Sequence, residues 1–138
     1  MHKKNQGTLG EALVVAQIVQ NNCSAFTDFG DNSKIDIIVE DLCGELHKVQ
    51  VKCNNREKKS PEITKFSLVK RGPNGYKMTY HGNMVDWFAI VDMKTNNIAW
   101  ISFDEIGKLK DVTFRHSEPK NNQRQKIRRF DDYTKFPF

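Results

Sequence analysis

Ile35-Asp36-Ile37-Ile38-Val39-Glu40, followed across a short polar loop by Lys48-Val49-Gln50-Val51-Lys52-Cys53, is the stretch on which the fold turns. Ile35, Ile37 and Val39 alternate with Asp36, Ile38 and Glu40, and Val49, Val51 and Cys53 alternate with Lys48, Gln50 and Lys52. A period of two is that of a pleated strand, so two strands are expected. A turn centred near Cys43-Gly44 places Asp36 close to opposite Gln50, and opposed residues point to the same side of a sheet. One face then carries Asp36, Gln50 and Lys52. A surface hairpin with solvated polar residues accounts for the same pattern, because antiparallel sheets often have one wet face. Against it stand the β-branched neighbours of Asp36, which describe a strand buried on both faces, where a carboxylate needs a partner or a metal.

Working outward, 138 residues are enough for one domain with a real core and too few for two, so residues 1–138 are expected to form a single domain. Lys and Arg total 22 against 17 Asp and Glu, a net charge of +5 with a pI near 9.1. That excess favours nucleic acid or another anionic surface as partner. Cys23, Cys43 and Cys53 form no C-x-x-C pair, and no N-terminal apolar segment resembles a signal peptide, so a cytoplasmic protein with reduced thiols is expected. No apolar run approaches the roughly 20 residues of a membrane span, so no membrane partner is expected.

Leu9 to Gln20 has the clearest helical pattern, ended by Asn21-Asn22. At 100° per residue, Leu9, Ala12, Leu13, Ala16 and Val19 form one stripe, and Val14, Val15 and Ile18 cover most of the other side, so a largely buried helix is expected. Glu11 falls among these apolar residues, where a carboxylate needs a partner, hydrogen bonds or a metal. The run Thr8-Leu9-Gly10-Glu11 also fits a capping box, in which the glutamate returns to the cap amide. Both readings of Glu11 stand.

Ser24 to Phe29 reads as a first strand, and Val85 to Val91 and Asn97 to Phe103 as two more, joined at Lys94-Thr95-Asn96. Ile63 to Val69 fits a short strand or helix, and Asp104 is expected to cap a helix through about Lys110. Arg71-Gly72-Pro73-Asn74-Gly75 is a turn flanked by Lys70 and Lys77. Arg56, Lys58 and Lys59 lie in a polar segment that no core would want, and Arg124, Lys126, Arg128 and Arg129 in a C-terminal stretch without acids. These basic residues are expected to contact DNA phosphates, the last four on an arm that continues into Phe130, Tyr133, Phe136 and Phe138. Arg71 and its turn are the expected base reader, a two-stranded ribbon of a size to enter a major groove. The four histidines, His47 and His81 among them, show no ββα-metal pattern, and there is no zinc quartet.

A helix with an inward glutamate, a strand, a strand with Asp36, a strand with Gln50-x-Lys52, and the apolar strand Asp86-Trp87-Phe88-Ala89-Ile90-Val91 come in the order of the PD-(D/E)XK nuclease superfamily. The chain resembles that superfamily from about residue 7 to 104. It is most similar to the group I intron homing endonucleases of the restriction fold found in cyanobacteria, in length and in the order Glu, Asp, Gln, Lys. Ile35 stands where a proline precedes the motif aspartate, and Gln50 where the motif has an acid, so that position offers an oxygen without charge.

The resemblance implies an α/β fold, a restriction-endonuclease-like mixed central sheet flanked by helices. It implies a site-specific double-strand DNA endonuclease using Mg²⁺, with Mn²⁺ as substitute, in the bacterial cytoplasm or nucleoid. Glu11 and Asp36 would hold the metal with the Val51 backbone carbonyl, beside Gln50 and Lys52 as the other catalytic positions. A homo-oligomer is implied, tetrameric by resemblance and dimeric otherwise. Two alternatives remain: a Holliday junction resolvase-like nuclease, whose members keep an acid at the position of Gln50, and a non-catalytic DNA-binding protein in which Gln50 marks a decayed site.

Overall fold

In the computed structural model of the chain, α1 (Lys3–Gln20) is followed by β1 (Ser24–Thr27), β2 (Ile37–Glu40) and β3 (Leu46–Asn54). Next come β4 (Ile63–Ser67), β5 (Val69–Arg71) and β6 (Lys77–Thr79), with a 3-10 turn at Pro73–Gly75 between the last two. The chain continues through β7 (Trp87–Asp92), β8 (Ile98–Ser102), the single turn α2 (Phe103–Ile106), β9 (Asp111–Arg115), β10 (Arg128–Arg129) and a 3-10 turn at Phe130–Tyr133. The structure describes residues 1–30, 32–33, 35–71, 73–75, 77–80, 82–118 and 128–138, with Lys70, Arg71, Pro73, Lys77 and Met78 by backbone alone. Arg124, Lys126, Asp31, Lys34, Gly72 and His81 therefore lie outside the described residues, as do the side chains of Lys70, Arg71 and Lys77.

The central sheet has the order β1-β2-β3-β7-β8. Within it β3 and β7 run parallel and the other pairs antiparallel, which is the mixed α/β sheet expected. The period-two pattern sends Val49, Val51, Ala89 and Val91 to one face, where Val14 and Ile18 of α1 complete a core. On the opposite face Phe88, Ile90 and Ile101 meet Phe66 of β4 and Val112 and Phe114 of β9. That face is covered by a three-stranded sheet, β10-β9-β4, together with α2, so the flanking helices are the long α1 on one face and the single turn α2 on the other, beside a small second sheet.

Four expectations are corrected. Helix α1 starts at Lys3, capped by His2, whose Nδ1 accepts the Lys4 N–H at 3.3 Å. Thr8 is inside the helix and donates its hydroxyl to the Lys4 carbonyl at 3.2 Å, so no capping box forms at Glu11. The buried line of α1 is Gly10, Val14 and Ile18, four residues apart, while Ala12, Ala16, Leu9 and Val19 face solvent. The helix after β8 is a single turn with Ser102 at its N-cap position and Asp104 within it. Phe130, Phe136 and Phe138 belong to the core rather than to an arm: Phe136 and Phe138 stand edge-on to Trp100 at 5.5 and 5.6 Å. No helix among the described residues is long and apolar enough to cross a membrane.

The approach of α1 to β3 depends on Gly10. A Cβ there would lie 1.8 Å from the Cys53 Sγ and 3.3 Å from its Cβ. Gly10→Ala is therefore expected to cost about 1–3 kcal/mol by overpacking. In a Cys53→Ala background the obstructing sulfur is gone and the helix propensity of alanine, up to about 1 kcal/mol over glycine, should make the same change neutral or stabilising. Urea unfolding of the four proteins of this cycle checks the sign reversal.

Candidate active site

Strands β2 and β3 pair from Ile37–Val49 outward to the turn, where Gly44 takes a φ of 82°. Asp36 sits one residue before that pairing begins and donates its N–H to the Val49 carbonyl at 3.1 Å. Past this point β2 has left, and among the described residues no strand bonds the Val51 N–H on that edge. The Asp36 carboxylate takes its place: Oδ2 accepts the Val51 N–H at 2.7 Å and also the Gln50 Nε2. Because the N–H and C=O of one strand residue point to the same edge, the Val51 carbonyl faces the same opening.

Gln50 and Lys52 lie on the face of β3 opposite to α1. Gln50 is 6 % exposed, and its Oε1 has no hydrogen-bond partner among the described residues. Lys52 is half-buried and its Nζ donates to the Tyr80 hydroxyl at 3.1 Å. Burial lowers the Lys52 pKa, partly opposed by the negative charge of Asp36. Glu11 reaches the site from the other face. It lines a cleft of about 500 Å³ with Val51, Lys52, Cys53, Lys3 and Lys65. Cys53 reports on both carboxylates: burial first, then the charges of Glu11 and Asp36, push its thiol up to about 11. The four positions Glu11, Asp36, Gln50 and Lys52 are thus gathered around the free edge of β3, with Glu11 on one side and Gln50 and Lys52 on the other.

This donor set suits a hard divalent cation. Two carboxylates, the buried Gln50 Oε1, unpartnered among the described residues, and a backbone carbonyl are oxygen ligands of the kind Mg²⁺ and Mn²⁺ take. The Cys53 thiol, held protonated at neutral pH, adds no thiolate. A different cluster, Asp41, Glu45 and His47, also brings potential ligand atoms within 4.8 Å of one another. It belongs to the β2–β3 turn: Asp41 Oδ1 accepts the Cys43 and Glu45 N–H groups at 2.9 Å, and Oδ2 takes His47 Nε2 at 2.8 Å. His47 in turn stacks on Phe138 at 4.4 Å.

The basic residues divide. Lys58 and Lys59 are exposed. Arg56 is not displayed to solvent: its Nη2 pairs with Asp92 Oδ2 at 2.7 Å, and Asp92 is fully buried. Burial alone would raise the Asp92 pKa, but bonds from Arg56, Thr95 and the Lys94 N–H outweigh it and hold the carboxyl below its ordinary value. Arg128 and Arg129 form β10 beside β9, with Arg128 Nε 3.8 Å from Glu105 and Arg129 Nη1 2.8 Å from Glu118. Those two are strand residues with acidic neighbours, not part of a free arm. Sequence reasoning missed Tyr80, Lys3 and Lys65. Lys3 was findable, since Lys3, Gly7 and Glu11 form an i, i+4, i+8 row on α1; Tyr80 is 28 residues from Lys52 and leaves no local sign.

The family model of PD-(D/E)XK endonucleases matches residues 1–136. A solved structure of the bacterial homing endonuclease I-Ssp6803I superposes with a TM-score of 0.73, covering 96 % of this chain and 88 % of that one at 18 % identity, a likeness of fold. No curated protein matches the sequence.

The Gln50–Asp36 contact makes a prediction about charge. Gln50→Glu replaces the amide donor by a second carboxylate at a site that is 6 % exposed, so without added metal it should lose about 1–3 kcal/mol of stability. A divalent cation relieves that repulsion, so Mg²⁺ or Mn²⁺ should raise the Tm of the variant more than that of the wild type in thermal melts with and without EDTA.

Proposed function

We propose that this chain, which belongs to the PD-(D/E)XK endonuclease family, is a metal-dependent endonuclease that hydrolyses double-stranded DNA at specific sites, in the manner of a homing endonuclease. The observation that carries the reading is the placement of Asp36 on Gln50 and Val51, beside Lys52, where β2 leaves β3 and the cleft of Glu11 opens. The neutral Gln50 supports the homing class over a resolvase-like enzyme, and the fold likeness to a homing endonuclease supports it further.

Asp36 and Glu11, with Gln50 Oε1 and the Val51 carbonyl, would hold Mg²⁺, for which Mn²⁺ would substitute. When bound, such an ion lowers the pKa of water and neutralises charge building on the phosphate. Gln50 and Val51 donate to Asp36 Oδ2 and so fix which way the carboxylate faces. Lys52 carries donors beyond the one given to Tyr80, and these are placed to stabilise charge on a non-bridging phosphate oxygen.

The duplex would be gripped by Lys58 and Lys59 and by the cleft lysines Lys3 and Lys65, with Lys70, Arg71, Lys77, Arg124 and Lys126 as further proposed contacts. The antiparallel pair β5–β6, joined through Asn74 and Gly75 at positive φ, is the proposed base-reading ribbon. Arg56 serves instead to fasten the loop that carries Lys58 and Lys59 to the end of β7. One cleft per chain cuts one strand, so a double-strand break calls for a homo-oligomer. The proposed place of work is the bacterial cytoplasm or nucleoid.

Asp36→Ala or Lys52→Ala is expected to reduce plasmid cleavage in Mg²⁺ to background while DNA binding in EDTA stays within about three-fold of wild type. Unimpaired cutting by either variant would remove the mechanism. Neutralising Lys58 and Lys59 together should weaken binding and flatten the dependence of log affinity on log salt by up to about two units. An unchanged slope in a salt titration would show that these two side chains touch no phosphate.

A further inference from the structure

We propose that Tyr80 is a positioning residue for Lys52, its hydroxyl fixing the ammonium at the edge of β3 where the phosphate would be attacked. This deepens the nuclease reading and rests on it. Lys52 Nζ donates to the Tyr80 oxygen at 3.1 Å, while the centre of the tyrosine ring is 5.2 Å away, so the hydroxyl, not the ring face, is the near partner.

The hydroxyl is itself held in place. Tyr80 is 5 % exposed, and its ring stands edge-on to Phe88 at 5.3 Å with an interplanar angle of 86°. Phe88 is fully buried on β7, in register with Gln50 of β3. The anchor for the lysine thus belongs to the same pair of central strands that carries the site. A lysine has a long, flexible stem, and reactive groups have to be held within about 0.5 Å of their working geometry. The negative charge of Asp36 also acts on Lys52, so the ammonium has a carboxylate in its surroundings as well as a fixed oxygen to bond. Tyr80 also follows directly on Thr79, the end of β6, so the proposed DNA-reading ribbon ends on the residue that places the lysine.

Tyr80→Phe removes the oxygen and keeps the ring against Phe88. The expected result is a Tm within a few degrees of wild type, unchanged DNA affinity in EDTA, and single-turnover cleavage slowed about ten-fold or more. In protein labelled with ¹⁵N-lysine, the slowly exchanging ammonium signal that disappears in Lys52→Arg should also disappear or shift in Tyr80→Phe. Cleavage within about two-fold of wild type, an unmoved ammonium signal, or a loss of folding that assigns the hydroxyl to stability would each overturn the proposal. A wild-type protein that cut no DNA would instead overturn the nuclease reading, with the ammonium signal still deciding whether Tyr80 holds Lys52.

Discussion

The bonds from Gln50 and Val51 to the Asp36 carboxylate are the constraint on which the site depends. A sheet edge left by its neighbour exposes backbone groups that must find partners. Here the departing strand leaves one of its own side chains behind, and Asp36 Oδ2 accepts the Val51 N–H that β2 no longer reaches. The same act ends the pairing of β2 with β3, orients the carboxylate and opens the edge of β3 to solvent. Without it Asp36 would be one more polar residue at a strand end.

That edge is approached from both faces of the sheet, so two separate packings have to be correct at once. Glu11 comes with α1, whose distance from β3 is set by Gly10 against Cys53. Lys52 and Gln50 point the other way, toward the core formed by Phe66, Tyr80 and Phe88. The buried pair Arg56–Asp92 ties the loop after β3 to the end of β7, and His116 joins the same knot, with Nδ1 4.0 Å from Asp92 Oδ2 and Nε2 2.7 Å from Thr64 Oγ1. Breaking such a pair by removing one partner costs about 3–5 kcal/mol, which explains why an arginine in a polar, positive segment is taken up by the fold.

How much of this was legible follows from range. The hairpin was readable because a period of two, a turn at Cys43-Gly44 and simple register arithmetic are local, and together they set Asp36 against Gln50. Glu11 was readable as a carboxylate among apolar residues, although the wheel did not say which of two stripes was buried, and the true helix start at Lys3 lay beyond the apolar pattern. Strand β9 was overlooked even though Val112 and Phe114 alternate with polar residues; five residues of pattern are short, and their partners in β4 lie some fifty positions earlier. Arg56 was misplaced because its partner Asp92 is 36 residues away, and charge in a sequence does not reveal whether it is displayed or paired. Tyr80 was invisible for the same reason.

The neutral residue at position 50 then follows from the electrostatics of the site. Glu11 and Asp36 already act together on one half-buried thiol, and Gln50 is buried directly against Asp36. A third carboxylate there would share a poorly solvated space with the second, and like charges at contact raise each other's pKa and oppose burial. An amide has two unlike ends. Its N–H steadies Asp36, while its oxygen is left without a hydrogen-bond partner among the described residues. A glutamine at this position therefore bonds the Asp36 carboxylate without adding a second charge to a poorly solvated place.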